Sequence, residues 1–297
     1  MLSKTGLRIS IALPASVIGV SDDLRVKTFR AGLVGRAAAI FMVDEIVVYL
    51  DDHRGESLEN QRVFSKLLRY MVVPQYLRKT VFKKEEDLRF AGLLPPLKIP
   101  SHTVPSSLKQ LPPKSFRLAA VVKVSKREIV LEAGLEERLI APVPDPSLQA
   151  HLGDVVPIVV EDPLRLRARI VDPSNSPFYL GYRVSSPKAT LGEVLKKFKG
   201  VKIGTSKYGD LFWNKVREIK TLASRASSIM IVFGSPSMGI REMLSRENIR
   251  AEEVFDTIVN TVGEQGTETV RTEEAIYITL PLVSSLVRNY LNLGSSD

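Results

Sequence analysis

Cysteine is absent from the 297 residues, and that single absence excludes disulfides, thiolate metal sites and a cysteine nucleophile together. It also agrees with a reducing compartment, so a cytoplasmic location is expected. Histidine is scarce: His53, His102 and His151 stand far apart without ligand-like spacing, and no metal is expected. Long apolar runs are missing as well. The run from Ile9 to Val20 is interrupted by Pro14 and Gly19 and followed by Asp22 and Asp23, unlike a secretory leader, and the run from Ala37 to Leu50 is cut by Asp44 and Glu45. No membrane segment is expected. A P-loop is lacking too, because Gly204-Thr205-Ser206-Lys207 does not have the spacing of that motif, which argues against a nucleoside triphosphatase.

Positive charge is what the chain has in excess, with a formal net charge of +9. Between Gln61 and Pro100 there are 9 Lys or Arg against 3 Asp or Glu, and between Lys196 and Arg225 there are 9 against 2. From Ser101 to Leu180 the balance is near even, 10 against 9. Two separated basic stretches are the footprint of a polyanion-binding face if the fold brings them together; solvated helix faces are the alternative.

The hydrophobic pattern divides the chain. A strand over Leu7 to Leu13, a helix over Asp22 to Phe41 and a strand over Glu45 to Leu50 make a βαβ unit, which favours a parallel α/β sheet. Prolines and serines accumulate from Pro95 to Pro113. Short strands then follow over Arg117 to Val124, Glu128 to Glu132, Glu137 to Ala141, Val155 to Glu161, Arg165 to Val171 and Tyr179 to Val184, which suggests a small barrel inserted in the α/β domain. After Ser186 the alternation resumes: a helix near Thr190 to Phe198, a strand Val201 to Thr205, a helix to about Ala223, a strand Ser228 to Phe233, a short helix from Ser237, a strand near Asp256 and a last helix from Thr272. That last helix carries an apolar stripe through Ile276, Leu282, Val283, Leu286 and Tyr290, suited to core packing or to a dimer interface. Pro281 inside it predicts a kink or a break.

The stretch from Asn260 to Ala275 runs from a buried-looking strand through a polar loop bearing Gly263 and Gly266 into that helix, with Thr272 placed to cap it. A helix N-terminus beside a loop of free amides suits a carboxylate or phosphate, although an ordinary strand, turn and helix has the same pattern. Two further small-residue turns follow strands, at Gly204-Thr205-Ser206 and from Phe233 to Gly239. Ligands in open α/β sheets bind beyond the carboxyl ends of the strands, so three such turns point to one shared pocket. No acid/base pair or catalytic triad can be assembled from spacing.

Several segments together resemble one family: Ile11-Ala12-Leu13-Pro14, Val43 to Val48, Pro74-Gln75-Tyr76-Leu77-Arg78-Lys79, Asp87 to Leu94, Ile203-Gly204-Thr205-Ser206, Val232-Phe233-Gly234 and the Asn260 to Ala275 loop. The chain resembles the archaeal and eukaryotic RNA uridine N3 methyltransferases of the SPOUT superfamily. The resemblance implies an α/β fold, a SPOUT domain tied in a C-terminal trefoil knot (residues 1–97 with 184–297) and interrupted by an OB-like β-barrel insert (98–183) that binds RNA. It implies a homodimer that uses S-adenosylmethionine, releases S-adenosylhomocysteine and acts on RNA, with ribosomal RNA the expected substrate.

On the same ground the cofactor would meet Thr205, Phe233, Gly234, Ser235, Gly239, Asn260, Thr261, Gly263, Gln265 and Gly266, with Val270, Arg271, Thr272 and Ala275 at its methionine end. Arg271 is the first candidate for stabilising the uridine imide anion and Arg36 the second, unless Arg36 serves a salt bridge to Asp44 or Glu45. Glu273 or Glu274 is the candidate base, although glutamates opening a helix also simply suit its dipole. Arg78, Lys79, Lys83 and Lys84 are expected to contact RNA. Two other readings stay open: a non-catalytic RNA-binding or ribosome-assembly factor that keeps the fold, and an enzyme using another adenine nucleotide.

Overall fold

The computed structural model describes residues 6–102, 105–144 and 148–293. The chain forms two compact units, one of Tyr70–Glu86 with Leu97–Gly181, the other of residues 6–69, 87–96 and 182–293.

The second unit begins with β1 (Arg8–Pro14), α1 (Leu24–Ile40) and β2 (Glu45–Tyr49), and α2 (Gly55–Val72) follows. Asp23 caps α1 by accepting the Arg25 N–H at 2.8 Å. The first unit holds α3 (Arg78–Val81) and the strands β3 (Ser115–Val124), β4 (Glu128–Glu132), β5 (Leu139–Pro142), β6 (Val155–Asp162) and β7 (Arg167–Ile170). The chain then returns to the second unit through β8 (Arg183–Ser185), α4 (Leu191–Lys197), β9 (Val201–Leu211), α5 (Phe212–Ser224), β10 (Ser228–Val232), α6 (Ile240–Arg246), α7 (Ala251–Val254), β11 (Thr257–Asn260) and α8 (Thr272–Leu293).

The six strands of the second unit form a parallel sheet in the order β11-β9-β10-β1-β2-β8. β1 sits inside it, paired with β10 and β2, and its residues from Ile9 to Pro14 are all buried, as a strand covered on both faces requires. On one face Ala12, Val47, Met230 and Val232 pack under Leu191 and Leu195 of α4 and Ile240 and Leu244 of α6. On α8, Ile276, Leu280, Val283 and Val287 are buried, and the helix packs beside α1 and α5. Arg288 donates to the carbonyls of Phe41 and Met42 at 2.7 and 2.9 Å, closing the C-terminal end of α1. Pro281 does not break α8, which runs through it without interruption.

The first unit is a closed barrel, β3-β4-β5-β7-β6, filled by Val121, Ile129, Leu131, Leu139, Ile158, Val160 and Ala168. Its core is separate, so truncating Leu131 to Ala should cost about 2–5 kcal/mol there. The unit reaches back before the expected insert: Val73 and Leu77 pack on Leu118 and Ala120, and the Tyr76 hydroxyl donates to the Leu118 carbonyl at 3.0 Å. The strand expected over Tyr179 to Val184 does not join the barrel. Only Arg183 and Val184 of it enter a strand, β8, which pairs in parallel with β2, where Arg183 meets Glu45 at 3.0 Å.

Candidate functional site

A strap within β9 and the turns at the carboxyl ends of β10 and β11 line one cleft of about 260 Å³, close to the lower range of small-molecule sites. Each turn is held by its own polar contacts.

The first turn is an excursion within β9. Ile258 pairs with Gly204 but the next residue, Val259, pairs with Asp210, so residues 205–209 leave the ladder as a strap and then rejoin the same partner strand. Thr205 Oγ1 donates to the Val232 carbonyl at 2.9 Å, Asn260 Nδ2 to the Lys207 carbonyl at 3.1 Å and Arg241 Nη1 to the Tyr208 carbonyl at 3.2 Å. Gly209 is needed where the strap comes back, since a Cβ there would stand 2.7 Å from the Val259 carbonyl carbon.

The second turn follows β10. Tyr49, fully buried, donates its hydroxyl to the Phe233 carbonyl at 2.7 Å, and burial pushes its phenol well above the usual range so that it remains a neutral donor. Ser235 closes the turn, its N–H donating to the Met238 carbonyl and its Oγ accepting the Met238 N–H, both at 2.9 Å. A Cβ on Gly234 would lie 2.8 Å from the Met238 carbonyl oxygen, so that position requires glycine.

The third turn is organised by Asn260, whose Oδ1 accepts the N–H groups of Val262 and Gly263 at 3.0 Å each. Gln265 Nε2 spans the loop to the carbonyls of Thr267 and Glu268 at 2.9 and 3.0 Å, and the hydroxyls of Thr261 and Thr279 meet at 2.8 Å. Thr272 departs from the capping role expected of it. As the first residue of α8 it sends its hydroxyl to the Gly234 carbonyl at 3.2 Å, tying the helix to the second turn, while Glu274 Oε2 accepts the Arg271 N–H at 2.9 Å.

Of the residues expected at a cofactor, the cleft is lined by Thr205, Phe233, Gly234, Ser235, Gly239, Asn260, Thr261, Gln265, Val270, Thr272 and Ala275. Gly263, Gly266 and Arg271 are not among its lining residues. Gly263 has φ of 73°, which explains its glycine, whereas a Cβ on Gly266 would meet no atom within 4 Å. Ser206, Met238 and Thr269, which belong to the three turns expected to converge, line the cleft too, whereas Lys207, Tyr208, Val259 and Val262 line it without having been singled out by the sequence. The polar run from Thr205 to Asp210 after the apolar start of β9 marks the end of the buried stretch and does not by itself signal the strap.

The three expected catalytic side chains have different surroundings. Arg271 is exposed, between the cleft-lining residues Val270 and Thr272. Arg36 is half-buried on α1 and donates to the Pro96 carbonyl at 3.1 Å; burial pushes the Tyr277 phenol up, and the Arg36 charge offsets only part of that rise. Glu273 is buried, with Oε1 3.7 Å from Arg30 Nε and Oε2 without a hydrogen-bond partner, and it is not part of the cleft wall.

The basic residues of the first charged stretch divide between the two units. Lys79, Lys83 and Lys84 are exposed, but Arg78 is engaged within its own unit, donating to the carbonyls of Val73 and Met71 and stacking 4.6 Å from the Tyr70 ring centroid. No cluster of metal-ligating side chains occurs among the described residues, and no described helix is long and apolar enough to cross a membrane.

Residues 8–283 match a family model described as "Putative RNA methyltransferase". The chain is similar to an uncharacterized protein of Halobacterium salinarum, 32% identical over 91% of this chain and 96% of that one. It is also similar to proteins named 28S rRNA (uridine-N(3))-methyltransferase: that of Homo sapiens is 31% identical over 92% of this chain and 76% of its own length, and that of Drosophila melanogaster is 28% identical over 92% and 61%.

Proposed function

We infer that this chain, which belongs to the RNA methyltransferase family matched from residue 8 to residue 283, methylates N3 of a uridine in ribosomal RNA. The convergence of the β9 strap and the turns after β10 and β11 on one cleft carries the reading. It supplies a place for a methyl donor in a chain whose relatives bear the name of that reaction.

The donor proposed is S-adenosylmethionine, which brings a methyl group on a positively charged sulfur and leaves as S-adenosylhomocysteine. The wall fits such a group. It consists largely of backbone and small or apolar side chains, among them Gly234, Ser235, Gly239, Val259, Val270 and Ala275. At Gly239 a Cβ would meet no atom within 4 Å, so the glycine leaves open space in the cleft. Thr272 and Ala275, in the first turn of the 22-residue helix α8, line the same cleft, and the unpaired amides of a helix start suit a carboxylate. Asn260, Gln265 and Thr272 spend their side chains on holding the turns in place, which preorganises the wall.

Uridine N3 carries an imide proton, and as it is lost to solvent negative charge develops on the flanking carbonyl oxygens. Arg271, exposed beside the cleft wall, is assigned to stabilise that charge. Glu273 is assigned a positioning role, because its carboxylate is buried against Arg30.

The barrel is read as OB-like and RNA-binding. Its closed order, with β3 bonded to both β4 and β6 and β5 parallel to β7, supports that. A knotted C-terminus is read from the ties between α8 and the turns behind it, Thr272 to Gly234 and Thr279 to Thr261. Exposed Val26, Phe29 and Ile40 on α1 support a homodimer, and the lack of cysteine supports a cytoplasmic location. The test is transfer from labelled S-adenosylmethionine to ribosomal RNA, followed by digestion to nucleosides and mass spectrometry. N3-methyluridine, missing from RNA of cells without this protein, is the expected product; absence of donor binding by calorimetry overturns the reading.

A further inference from the structure

We propose that Tyr208 is the platform on which an unpaired base of the RNA substrate stacks at the cleft, with Lys207 beside it to meet the neighbouring backbone phosphate.

Tyr208 lines the cleft, yet its side chain stands in solvent, 76% exposed. A large ring left open at the wall of a binding site is unusual, because burying it would be favourable by roughly 2 kcal/mol. It is also held in place from behind. The Tyr208 carbonyl accepts from Arg241, whose Nε is fixed by Glu252 at 2.9 Å, and the Tyr208 N–H donates to Ser206 Oγ at 3.1 Å. Lys207 is pinned by its own carbonyl to Asn260, and the ladder clamps the strap at both ends, at Gly204 and at Asp210. The backbone is therefore set before any ligand arrives, while the ring makes no aromatic contact among the described residues.

The Lys207 ammonium lies 5.0 Å from the Tyr208 ring centroid. It marks the strap as positive and places one cation within reach of a phosphate flanking a base on the ring. An aromatic ring next to a cation is the combination that single-stranded nucleic acid uses, since every base has a π-face and every nucleotide a phosphate. Donor and acceptor must meet in this cleft. A base resting on Tyr208 at the cleft wall would be oriented toward the methyl group, and only a base already out of a helix can stack there.

The inference deepens the methyltransferase reading and rests on it for the identity of the strand, but its test does not need turnover. Binding of a fluorescein-labelled uridine-rich single-stranded RNA is measured for the whole protein and for Tyr208→Ala, Tyr208→Phe and Lys207→Gln, with S-adenosylmethionine affinity measured in parallel by calorimetry. Tyr208→Ala is expected to weaken RNA binding about tenfold or more, and Tyr208→Phe to stay within about twofold, because the ring and not the hydroxyl stacks. Lys207→Gln is expected to lower the salt slope by about one phosphate contact. Donor affinity is expected to change far less than RNA affinity. Equal RNA binding by Tyr208→Ala and the unchanged protein overturns the proposal, as does a loss in Tyr208→Phe matching that in Tyr208→Ala. A parallel loss of donor affinity overturns it too, since Tyr208 would then belong to the donor's wall. If the unchanged protein transfers no methyl group but the binding pattern holds, the stacking assignment stands and the enzymatic reading fails.

Discussion

Glu273 Oε1 stands 3.7 Å from Arg30 Nε, with only 5% and 12% of the two side chains exposed, so the first turn of α8 is clamped to α1 by a sequestered ion pair. Arg30 is held further by its Nη1, which donates to the Val17 carbonyl at 3.2 Å.

Removing one partner of such a pair strands the other charge. Glu273→Gln is expected to destabilise the protein by about 3 kcal/mol in chemical denaturation, with the pairing of Glu273→Met and Arg30→Met recovering much of the loss. The pH dependence of methyl transfer should keep its shape in Glu273→Gln. Disappearance of its acidic limb would restore Glu273 to the role of general base.

Gly239 has φ of −72° and ψ of 164°, a conformation open to any L-residue, and a Cβ there meets nothing within 4 Å. Gly239→Val should therefore leave the melting temperature within a few degrees while filling the cleft. S-adenosylmethionine binding measured by calorimetry is expected to fall at least tenfold.

Arg271→Ala should lower the rate of methyl transfer by about 10²-fold at saturating donor, the scale on which one preorganised donor to developing negative charge acts. Donor affinity should change much less than the rate. An unchanged single-turnover rate would remove Arg271 from the reaction.

Lys79, Lys83 and Lys84 are exposed, so reversing all three to Glu should weaken RNA binding and flatten the dependence of log affinity on log salt by up to about 2–3. Arg78→Glu belongs to a different experiment. It removes the side chain that bonds the Val73 and Met71 carbonyls, and it should show first as lost stability.

Arg62, with Lys66 beside it, holds the Asp87 carboxyl down to about 2, below its usual 3.8. A depressed carboxylate stabilises the fold above the unfolded value and loses that contribution as pH falls toward the folded one. Asp87→Asn should thus be less stable than the unchanged protein at pH 6, and the gap should close between about pH 4 and pH 2 in urea titrations.

Much of the fold was legible because its signals are local. The βαβ start followed from the apolar runs around Ile9 and Ile46, and β4 lies where alternation from Glu128 to Glu132 put it. The three turns were legible because each pairs a strand end with small residues. Partnership was not. The pattern around Val184 marks a strand without saying which sheet receives it, and the pairing with β2 is decided by residues far off in sequence, such as Glu45 against Arg183. The strap stayed hidden for a similar reason: a polar run reads the same whether a strand ends there or bows out and returns. Glu273 resembles any acidic residue opening a helix, and only the approach of Arg30 from α1 shows where it is buried. Arg78, expected with the neighbouring lysines at RNA, looks like them in sequence, and only the fold shows its carbonyl partners at the end of α2 and just beyond it.

The sheet order has one more implication, for how the protein is made. β1 is interior, flanked by β2 and by β10, and Arg8 faces Ser228. During synthesis β1 acquires β2 early but waits until Ser228–Val232 has been made before β10 can cover its other edge. Contacts of that sequence separation form slowly. The nascent chain thus carries an open, largely apolar strand edge while the barrel, whose contacts are nearer in sequence, is already free to close, and protection of that edge is a demand the finished molecule no longer displays.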